Sequence, residues 1–354
     1  MKFKLFANCI IVRGYSRSTL CDFQRYKTFI VSNEIAEIIN KMQGKTYEEI
    51  IHNLNIEQKS EIDDCLKFLL DNELGFYTDI PDSFPDLSLE WDYPFEISNA
   101  IMDISSNSKY DIFRVMNQLE DINCEHLQIR YFKRVCIKDL QKILDYLDER
   151  ESIISSIDLI FSLEDMNTKE AALNLRKNSR ISSLTIYGSN EDRFISPYSQ
   201  NKGYAILTRK IIDSDSHCGL IDPQLFVVNL KMFTESLKHN SCLNRKVSID
   251  VNGNIKNCPS MLKDYGSVIN KPIIHAIKEK GFKDLWNITK DEVLVCQDCE
   301  FRRICTDCRA FTEIPDNVLS KPLKCGYSPY KNEWENWSSN PLKQEAIKYY
   351  KAKA

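Results

Sequence analysis

Cysteine is concentrated in one short stretch of the chain, and this stretch constrains what the last third can fold into. Residues 296–308 read CQDCEFRRICTDC, with four thiols in thirteen residues. Cys242 and Cys258 precede this stretch and Cys325 follows it, which gives seven thiols in one ordered layout. Each CxxC spacing can place two sulfurs on one metal, so the layout predicts a metal-binding domain.

Composition and charge narrow the class of protein. The chain has 354 residues, of which 43% are hydrophobic and 28% charged, as is typical of a globular protein with more than one domain. A net charge of −4 gives no basic field for a polyanion, so we expect no nucleic-acid partner. No stretch of about 18 apolar residues occurs, so we expect no membrane partner and a cytoplasmic location. In that reducing compartment the thirteen cysteines are not expected to form disulfides.

Residues 1–80 are predicted to form a small module of strands and three helices. KLFANCIIVRG and TFIVSN favour strands, and the first helix is predicted to begin with Asn33 as its cap. TYEE, which begins at Thr46, has the spacing of a capping box, and a third helix is predicted over residues 60–72. The Pro- and Asp-rich segment DIPDSFPDL at residues 79–87 predicts a boundary.

Residues 88–216 are predicted to form a partial β/α barrel. Strand-like stretches lie at residues 96–104, 126–132, 155–163 and 182–188. They alternate with helix-like stretches, and YAILTRKII favours one more strand. Four or five such units are too few for a closed barrel, so we expect an open or partial one. Arg130, Tyr131 and Arg134, after the second strand, are interpreted as solvated surface.

Residues 217–330 are predicted to form the cysteine-rich domain, and residues 331–354 a helical tail. KVSIDVNGNIKNC alternates apolar and polar residues around Asn-Gly at residues 252–253. Asn-Gly is favoured in type I′ hairpin turns because both central residues need positive φ. The predicted hairpin would present Cys242 and Cys258 at its two ends, on the same side.

Two kinds of metal centre fit this layout. Two CxxC pairs five residues apart could hold a single structural zinc through four thiolates. Zinc would leave the other three thiols of the layout without a role, whereas two cubane clusters need eight ligands and can use all seven. The ligand count favours clusters, with zinc as the alternative.

The complete order C-x10-G-x4-C, C-x2-C-x5-C-x2-C and a final C resembles the SPASM domain, the auxiliary iron–sulfur module of many radical SAM peptide-modifying enzymes. The family more often has three residues where this chain has two, between Cys305 and Cys308. The resemblance implies two [4Fe–4S] clusters. The ligands implied for the outer cluster are Cys296, Cys299, Cys305 and Cys325. Those implied for the inner cluster are Cys242, Cys258 and Cys308, with Cys218 of a Cys-Gly dipeptide as the eighth ligand. His239 or an open iron site are the alternatives for that position.

The catalytic cluster motif of radical SAM enzymes, CxxxCxxC after the first barrel strand, is missing. SSNSKYDIF follows the predicted strand at residues 96–104 and contains no cysteine. The remaining thiols do not have this spacing and are interpreted as small buried hydrophobes. They are Cys9, Cys21, Cys65, Cys124 and Cys136. S-adenosylmethionine is therefore not expected as a cofactor, and no catalytic residue is indicated.

YKTFIVSNEIAEIINKMQGKTYEEI and DDCLKFLLDNELGFYTD resemble the winged-helix recognition element of enzymes that modify ribosomally made peptides (RiPPs). Such elements bind the precursor's leader as an added strand. A generic winged helix is the alternative, and acidic residues on the third helix disfavour DNA binding.

Across nearly the whole chain, CLNRKVSIDVNGNIKNCPSM, CEFRRICTDCRAF and GYSRS resemble the SPASM protein of grasp-with-spasm systems. The implied fold class is α/β multidomain, with a recognition element at 1–80, a radical SAM-like partial barrel at 88–216, a SPASM domain at 217–330 and a tail at 331–354. The implied function is maturation of a RiPP precursor peptide together with an ATP-grasp ligase. The alternative is a non-catalytic scaffold with structural iron–sulfur or zinc that delivers the precursor to the ligase.

Overall fold

The computed structural model describes residues 1–200 and 202–353. The helices of this part are α1 (Asn33–Met42), α2 (Tyr47–Ile51), α3 (Ile56–Asp71), α4 (Ile112–Glu120), α5 (Ile137–Glu149), α6 (Lys169–Asn174), α7 (Leu230–Lys238), α8 (Ile273–Ala276) and α9 (Gln344–Tyr350). The first strands are β1 (Lys2–Leu5), β2 (Cys9–Arg13), β3 (Arg17–Asp22), β4 (Lys27–Ser32) and β5 (Gly75–Thr78). The later strands are β6 (Asn99–Ile104), β7 (His126–Val135), β8 (Ser156–Leu163), β9 (Ile181–Tyr187), β10 (Arg193–Ile195), β11 (Tyr204–Thr208), β12 (Lys246–Ile249), β13 (Ile255–Lys256), β14 (Tyr327–Ser328) and β15 (Glu333–Trp334).

The first 80 residues form two small sheets against three helices. β2, β3 and β4 make an antiparallel meander, while β1 pairs with β5. Their shared core contains the fully buried Phe3, Leu20, Ile39 and Leu69. β4 lies at the edge of the meander, and no strand of the described part pairs with its outer side.

Helix starts in this module follow their capping residues. α1 begins near the predicted position, but the cap is Ser32, whose hydroxyl accepts from the Ile35 amide, and Asn33 is already helical. The predicted capping box of TYEE is present at the start of α2. α3 begins earlier than predicted because Asn55 and Gln58 form a second capping box with Asn in the capping position.

The middle of the chain builds an open sheet of eight strands in the order β10-β11-β9-β8-β7-β6-β12-β13. The six strands from β11 to β12 run parallel, and only the two edge strands are antiparallel. Helices α4, α5 and α6 follow β6, β7 and β8, so the predicted alternation is present. Because β12 and β13 come from the cysteine-rich part, the sheet continues past the predicted boundary between residues 216 and 217.

The hairpin of β12 and β13 forms where predicted, but its turn is not type I′. Gly253 has φ +84°, whereas Asn252 is not among the residues with positive φ in the described part. The Gly253 amide donates to the Asp250 carbonyl, and the Asp250 carboxylate accepts from the amides of Asn252 and Asn254, at 2.9 Å in each case. The Asp250 side chain thus stabilises a five-residue loop with one left-handed residue instead of two.

Two residues interpreted as solvated surface are buried in β7. Arg130 and Tyr131 are each only 4% exposed, so that interpretation is wrong for both, while Arg134 is exposed as expected. Arg130 is buried because it pairs through two hydrogen bonds, of 2.6 and 2.7 Å, with the carboxylate of Asp103 on β6.

No helix in residues 1–200 or 202–353 is long and apolar enough to cross a membrane.

Candidate metal centres

Four thiols converge at the end of the large sheet, and we call them the inner group: Cys218, Cys242, Cys258 and Cys308. Burial raises the pKa of Cys258 well above its ordinary value, and charge on the other three members raises it further. Burial, followed by charge on Cys242 and Cys218, raises the pKa of Cys308 to about 12. Cys218 is brought close by the residue after it, since a Cβ on Gly219 would lie 2.9 Å from Cys308 Sγ.

Four further thiols form the outer group: Cys296, Cys299, Cys305 and Cys325. The first two stand on one short 3-10 turn, where the Cys299 amide donates to the Cys296 carbonyl oxygen over 3.0 Å. Burial raises the pKa of Cys296 to about 12, with charge on Cys325 and Cys305 acting in the same direction. Burial and then charge on Cys305 raise the pKa of Cys299.

The two groups belong to different apolar clusters. Cys258 and Cys308 are part of the main core under the large sheet, and Cys242 packs against it. Cys305 and Cys325 are part of a separate cluster, against which Cys299 packs. Three thiols of each predicted set thus belong to a different apolar cluster, while Cys218 and Cys296 belong to neither cluster.

Cys308, which follows Thr306 and Asp307, belongs to the inner group. Asp307 is 1% exposed and its carboxylate lies 2.6 Å from Arg309, which follows Cys308. A single zinc bound by both CxxC pairs would need Cys305 and Cys308 on the same ion. The structure instead brings Cys308 to the inner group.

Cys218, and not His239, lies with the inner group. The His239 ring nitrogen Nδ1 is 3.0 Å from Asn287 Oδ1, and its ring packs against Trp91 with centroids 5.4 Å apart. Packing and one hydrogen bond therefore explain the position of His239. Ligation by any member of either group stays a prediction.

A buried lysine stands beside the outer group. Lys290 is 5% exposed and its Nζ donates to the carbonyl oxygen of Thr306 over 3.0 Å. Burial by itself would lower its pKa, but negative charge on Cys305 and Cys296 outweighs burial and raises it. Its ammonium group is therefore placed to stabilise thiolates.

Two further lysines, Lys246 and Lys324, lie beside the inner group. Lys246 Nζ donates to Cys242 Sγ over 3.5 Å, and charge on Cys242 and Cys258 outweighs burial and raises its pKa. Lys324 is 1% exposed, and burial lowers its pKa to about 8 even though Cys218 and Cys308 act in the opposite direction.

These surroundings fit a metal centre bound by thiolates. Burial alone keeps a thiol protonated, whereas a nearby cation or a metal favours the thiolate that ligates. Each group supplies four thiols, the number that one zinc or one [4Fe–4S] cluster takes. In the described part of the chain, no three His, Cys, Asp or Glu side chains are close enough to hold a single ion as they stand.

A cavity of about 520 Å³ opens beside the inner group at the carboxyl ends of β6 and β12. Its wall includes Asp103, Asp250, Lys256 and the loop that follows Cys258. Asp250 is paired with Lys256 at 3.0 Å. Ligands of open parallel sheets usually bind at this end of the strands, so the cavity is positioned to admit a substrate next to the inner group.

Sequence reasoning missed the three lysines and the pair of Arg130 with Asp103. Lysine and arginine are normally exposed, and no spacing connects these residues with the CxxC pairs. The sequence of β7 offered no clear signal either, because Arg130 is one of five polar or charged residues in this ten-residue strand. The other five thiols are free, and all but Cys136 are buried, as expected of small hydrophobes.

Comparison with family models and with curated proteins found no match. Solved structures similar to this chain include SuiB of Streptococcus suis bound to S-adenosylmethionine, at a TM-score of 0.39 and 11% sequence identity over 90% of this chain and 98% of SuiB. They also include SuiB bound to its precursor peptide SuiA, at a TM-score of 0.36 and 11% identity over 97% of this chain and 100% of SuiB. TM-scores of this size describe a loose similarity of chain path, so both ligands are properties of SuiB alone. The expected absence of S-adenosylmethionine is accordingly not confirmed.

Proposed function

We propose that this chain is a maturation factor for a ribosomally made precursor peptide, working with an ATP-grasp ligase. Residues 1–80 bind the leader, the barrel-like sheet at 88–216 and the cysteine-rich part at 217–330 carry the maturation site, and each thiol group holds one [4Fe–4S] cluster. The observation that carries the proposal is the gathering of eight thiols, five of them buried and three partly buried, into two groups of four, each with a lysine beside it.

The role of residues 1–80 follows from the free edge of β4. Its outer backbone groups have no partner strand in the described part, which is the arrangement that a peptide uses when it binds as an added strand. Phe29 of β4 packs edge-on against Phe68 of α3 with ring centroids 5.6 Å apart. The strand and helix together form an apolar floor for the leader's side chains.

The maturation site is the cavity beside the inner group. A [4Fe–4S] cluster there would supply one-electron chemistry or an open iron for a substrate group. The chain's own residues would bind and orient the core peptide. Lys246 and Lys324 would balance the negative charge of the thiolates, and the ion pair of Asp250 with Lys256 would present polar groups to the peptide backbone.

A second candidate function is that of a non-catalytic scaffold, in which iron–sulfur or zinc centres are structural and the chain delivers the precursor to the ligase. The observation in its favour is the loop after β6. Residues 105–111 contain no cysteine that could hold a catalytic radical SAM cluster.

The experiment that separates these functions is metal and sulfide analysis, with electron paramagnetic resonance, on protein purified and reduced without oxygen. Two cubane clusters predict about eight irons and eight sulfides per chain. Stoichiometric zinc without sulfide would instead favour the scaffold. The same protein should be titrated with S-adenosylmethionine, because saturable binding would overturn the expectation that this cofactor is absent.

The partition of ligands predicts how single substitutions change the iron content. Cys308→Ser should remove the inner cluster and Cys299→Ser the outer one, so each variant should retain about four irons per chain. Loss of all iron from both variants would show that the two groups do not assemble independently. Iron content unchanged by Cys308→Ser would remove Cys308 from the ligand set.

A further inference from the structure

The turn between β2 and β3 lies directly against the loop that carries the outer group. The Tyr15 amide donates to the carbonyl oxygen of Asp298 over 2.8 Å, between Cys296 and Cys299. A Cβ on Gly14 would lie 2.8 Å from the backbone nitrogen of Glu300, so no larger residue fits at this turn without displacing the loop. Two backbones, from opposite ends of the chain, are therefore in close contact at the outer group.

An ion pair between the partly buried Arg17 and the buried Glu300 fixes the same contact. Arg17 Nε donates to Glu300 Oε1 over 2.6 Å, and Arg17 Nη2 donates to the Tyr327 hydroxyl over 3.0 Å. The Tyr327 hydroxyl in turn donates to Glu300 over 2.5 Å. Glu300 follows Cys299 and is 1% exposed, so removal of Arg17 would leave a buried carboxylate without its charged partner.

The outer thiols themselves belong to the apolar part of this interface. Val12, Cys21 and Phe23 from the N-terminal meander share one buried cluster with Cys305 and Cys325. The same cluster also contains Ile221, Phe233, Phe301, Ile304 and Tyr327. The packing of the meander therefore depends on the position of the loop that these thiols hold.

We propose that metal bound by the outer group holds the N-terminal module in place against the rest of the chain. The loop from Cys296 to Cys305 contains only one short 3-10 turn and is otherwise held by turn hydrogen bonds and the contacts described above, so metal bound by its thiols would add a direct constraint on its shape. β4, the proposed leader edge, pairs with β3, which carries Arg17. The outer group thereby acts on the position of bound leader without contacting it.

This inference rests on the proposed function only in requiring metal at the outer group. It assigns the outer group a positioning role, distinct from the cavity beside the inner group. Because coupling between two sites is reciprocal, loss of the docking contacts should in turn loosen the metal.

The first test is hydrogen exchange of the full chain, measured by mass spectrometry on wild type, Cys299→Ser and Cys242→Ser, with iron and zinc determined in each sample. Cys299→Ser should speed amide exchange in residues 9–22 by about fivefold or more, and Cys242→Ser should leave it unchanged. Unchanged exchange in Cys299→Ser protein that has lost its outer metal overturns the inference while the proposed function stands. Wild type without metal contradicts the proposed function itself.

The second test leaves every thiol in place. Arg17→Ala should speed loss of the outer metal to a chelator by about fivefold or more. Arg13→Ala is the matched control, because its side chain is exposed and pairs with Glu37 inside the same module. Equal rates of metal loss in wild type, Arg17→Ala and Arg13→Ala would overturn the inference.

Discussion

At the scale of residues, Asp250 determines the shape of the turn that brings Cys242 and Cys258 to one side of their hairpin. Its carboxylate accepts two backbone amides and also lies 3.0 Å from Lys256. An Asn-Gly dipeptide alone favours two left-handed residues, but these contacts hold a longer loop in which only Gly253 is left-handed.

This turn gives a prediction for two neighbouring residues, both of which should lose stability when they are replaced. Gly253→Ala should lower the free energy of unfolding by about 1–2 kcal/mol, because alanine is strained at positive φ. Asn252→Gly should also lower it, by about 0.5–1 kcal/mol, since glycine loses more backbone entropy at a right-handed position. Urea unfolding measures both. If Asn252→Gly leaves stability unchanged or raises it, a type I′ turn is the better description.

Single residues also show where sequence reasoning reaches its limit. The spacing of the thiols was enough to predict a metal-binding domain, because the CxxC pairs are local in the chain. The division of the eight thiols into two groups came from the resemblance to the SPASM domain, since spacing alone also allowed one zinc on both CxxC pairs. The buried Lys290, Lys246 and Lys324 were not predicted, since a lysine in a sequence gives no sign of whether it will be buried. The pairing of Asp103 with Arg130 joins two strands and leaves no local pattern either.

At the scale of elements, β4 is an edge strand whose two faces differ in exposure. Phe29 and Val31 are partly buried on one face, where Phe29 contacts Phe68 of α3, while Thr28, Ile30 and Ser32 are exposed. The periodicity of apolar and polar residues predicted the strands and helices of residues 88–216 well, because the residue types on each face of an element match the surroundings of that face. It did not predict the start of α3, where a second capping box outweighed the apolar pattern.

The two faces of β4 predict how substitutions change leader binding. Val31→Asp should weaken binding of the precursor's leader about tenfold or more, because it places a charge on the apolar face shared with α3. Ile30→Asp is the matched control on the exposed face and should change the dissociation constant by less than about threefold. Fluorescence anisotropy with a labelled leader peptide measures both. Equal weakening by the two variants would argue against side-chain recognition between β4 and α3.

At the scale of the whole molecule, three apolar clusters hold the chain together. One belongs to residues 3–77, one lies under the large sheet, and the third joins the N-terminal meander to the outer group. The segment at residues 79–87 predicted a boundary from composition, which is local. The contact of Arg17 with Glu300 spans 283 residues of sequence, so no local pattern could reveal that the module returns to the outer group.

Buried thiols in separate clusters make the stability of the whole chain sensitive to alkaline pH. Burial raises the pKa of Cys21 and of Cys124 from 9.0 to about 12. Above pH 9 each thiol keeps its proton in the folded chain and loses it in the unfolded chain, so unfolding releases protons. Stability from this source is complete below pH 9 and falls as the pH rises toward 12, by at most about 1.4 kcal/mol per pH unit for each thiol.

Cys124→Ala tests this sensitivity at a thiol outside both metal groups. Cys124 is fully buried and its Sγ donates to the His126 carbonyl oxygen over 3.4 Å, a contact that requires the protonated thiol. The variant should be less stable than wild type at about pH 8, because a small cavity replaces the sulfur, and the difference should shrink as the pH rises through the window above 9. Urea midpoints of anaerobic, reduced samples between about pH 8 and pH 11 measure the trend. Parallel curves for the two proteins would show that Cys124 does not hold its proton through this range, whereas converging curves would identify buried thiols as one cause of the alkaline loss of stability.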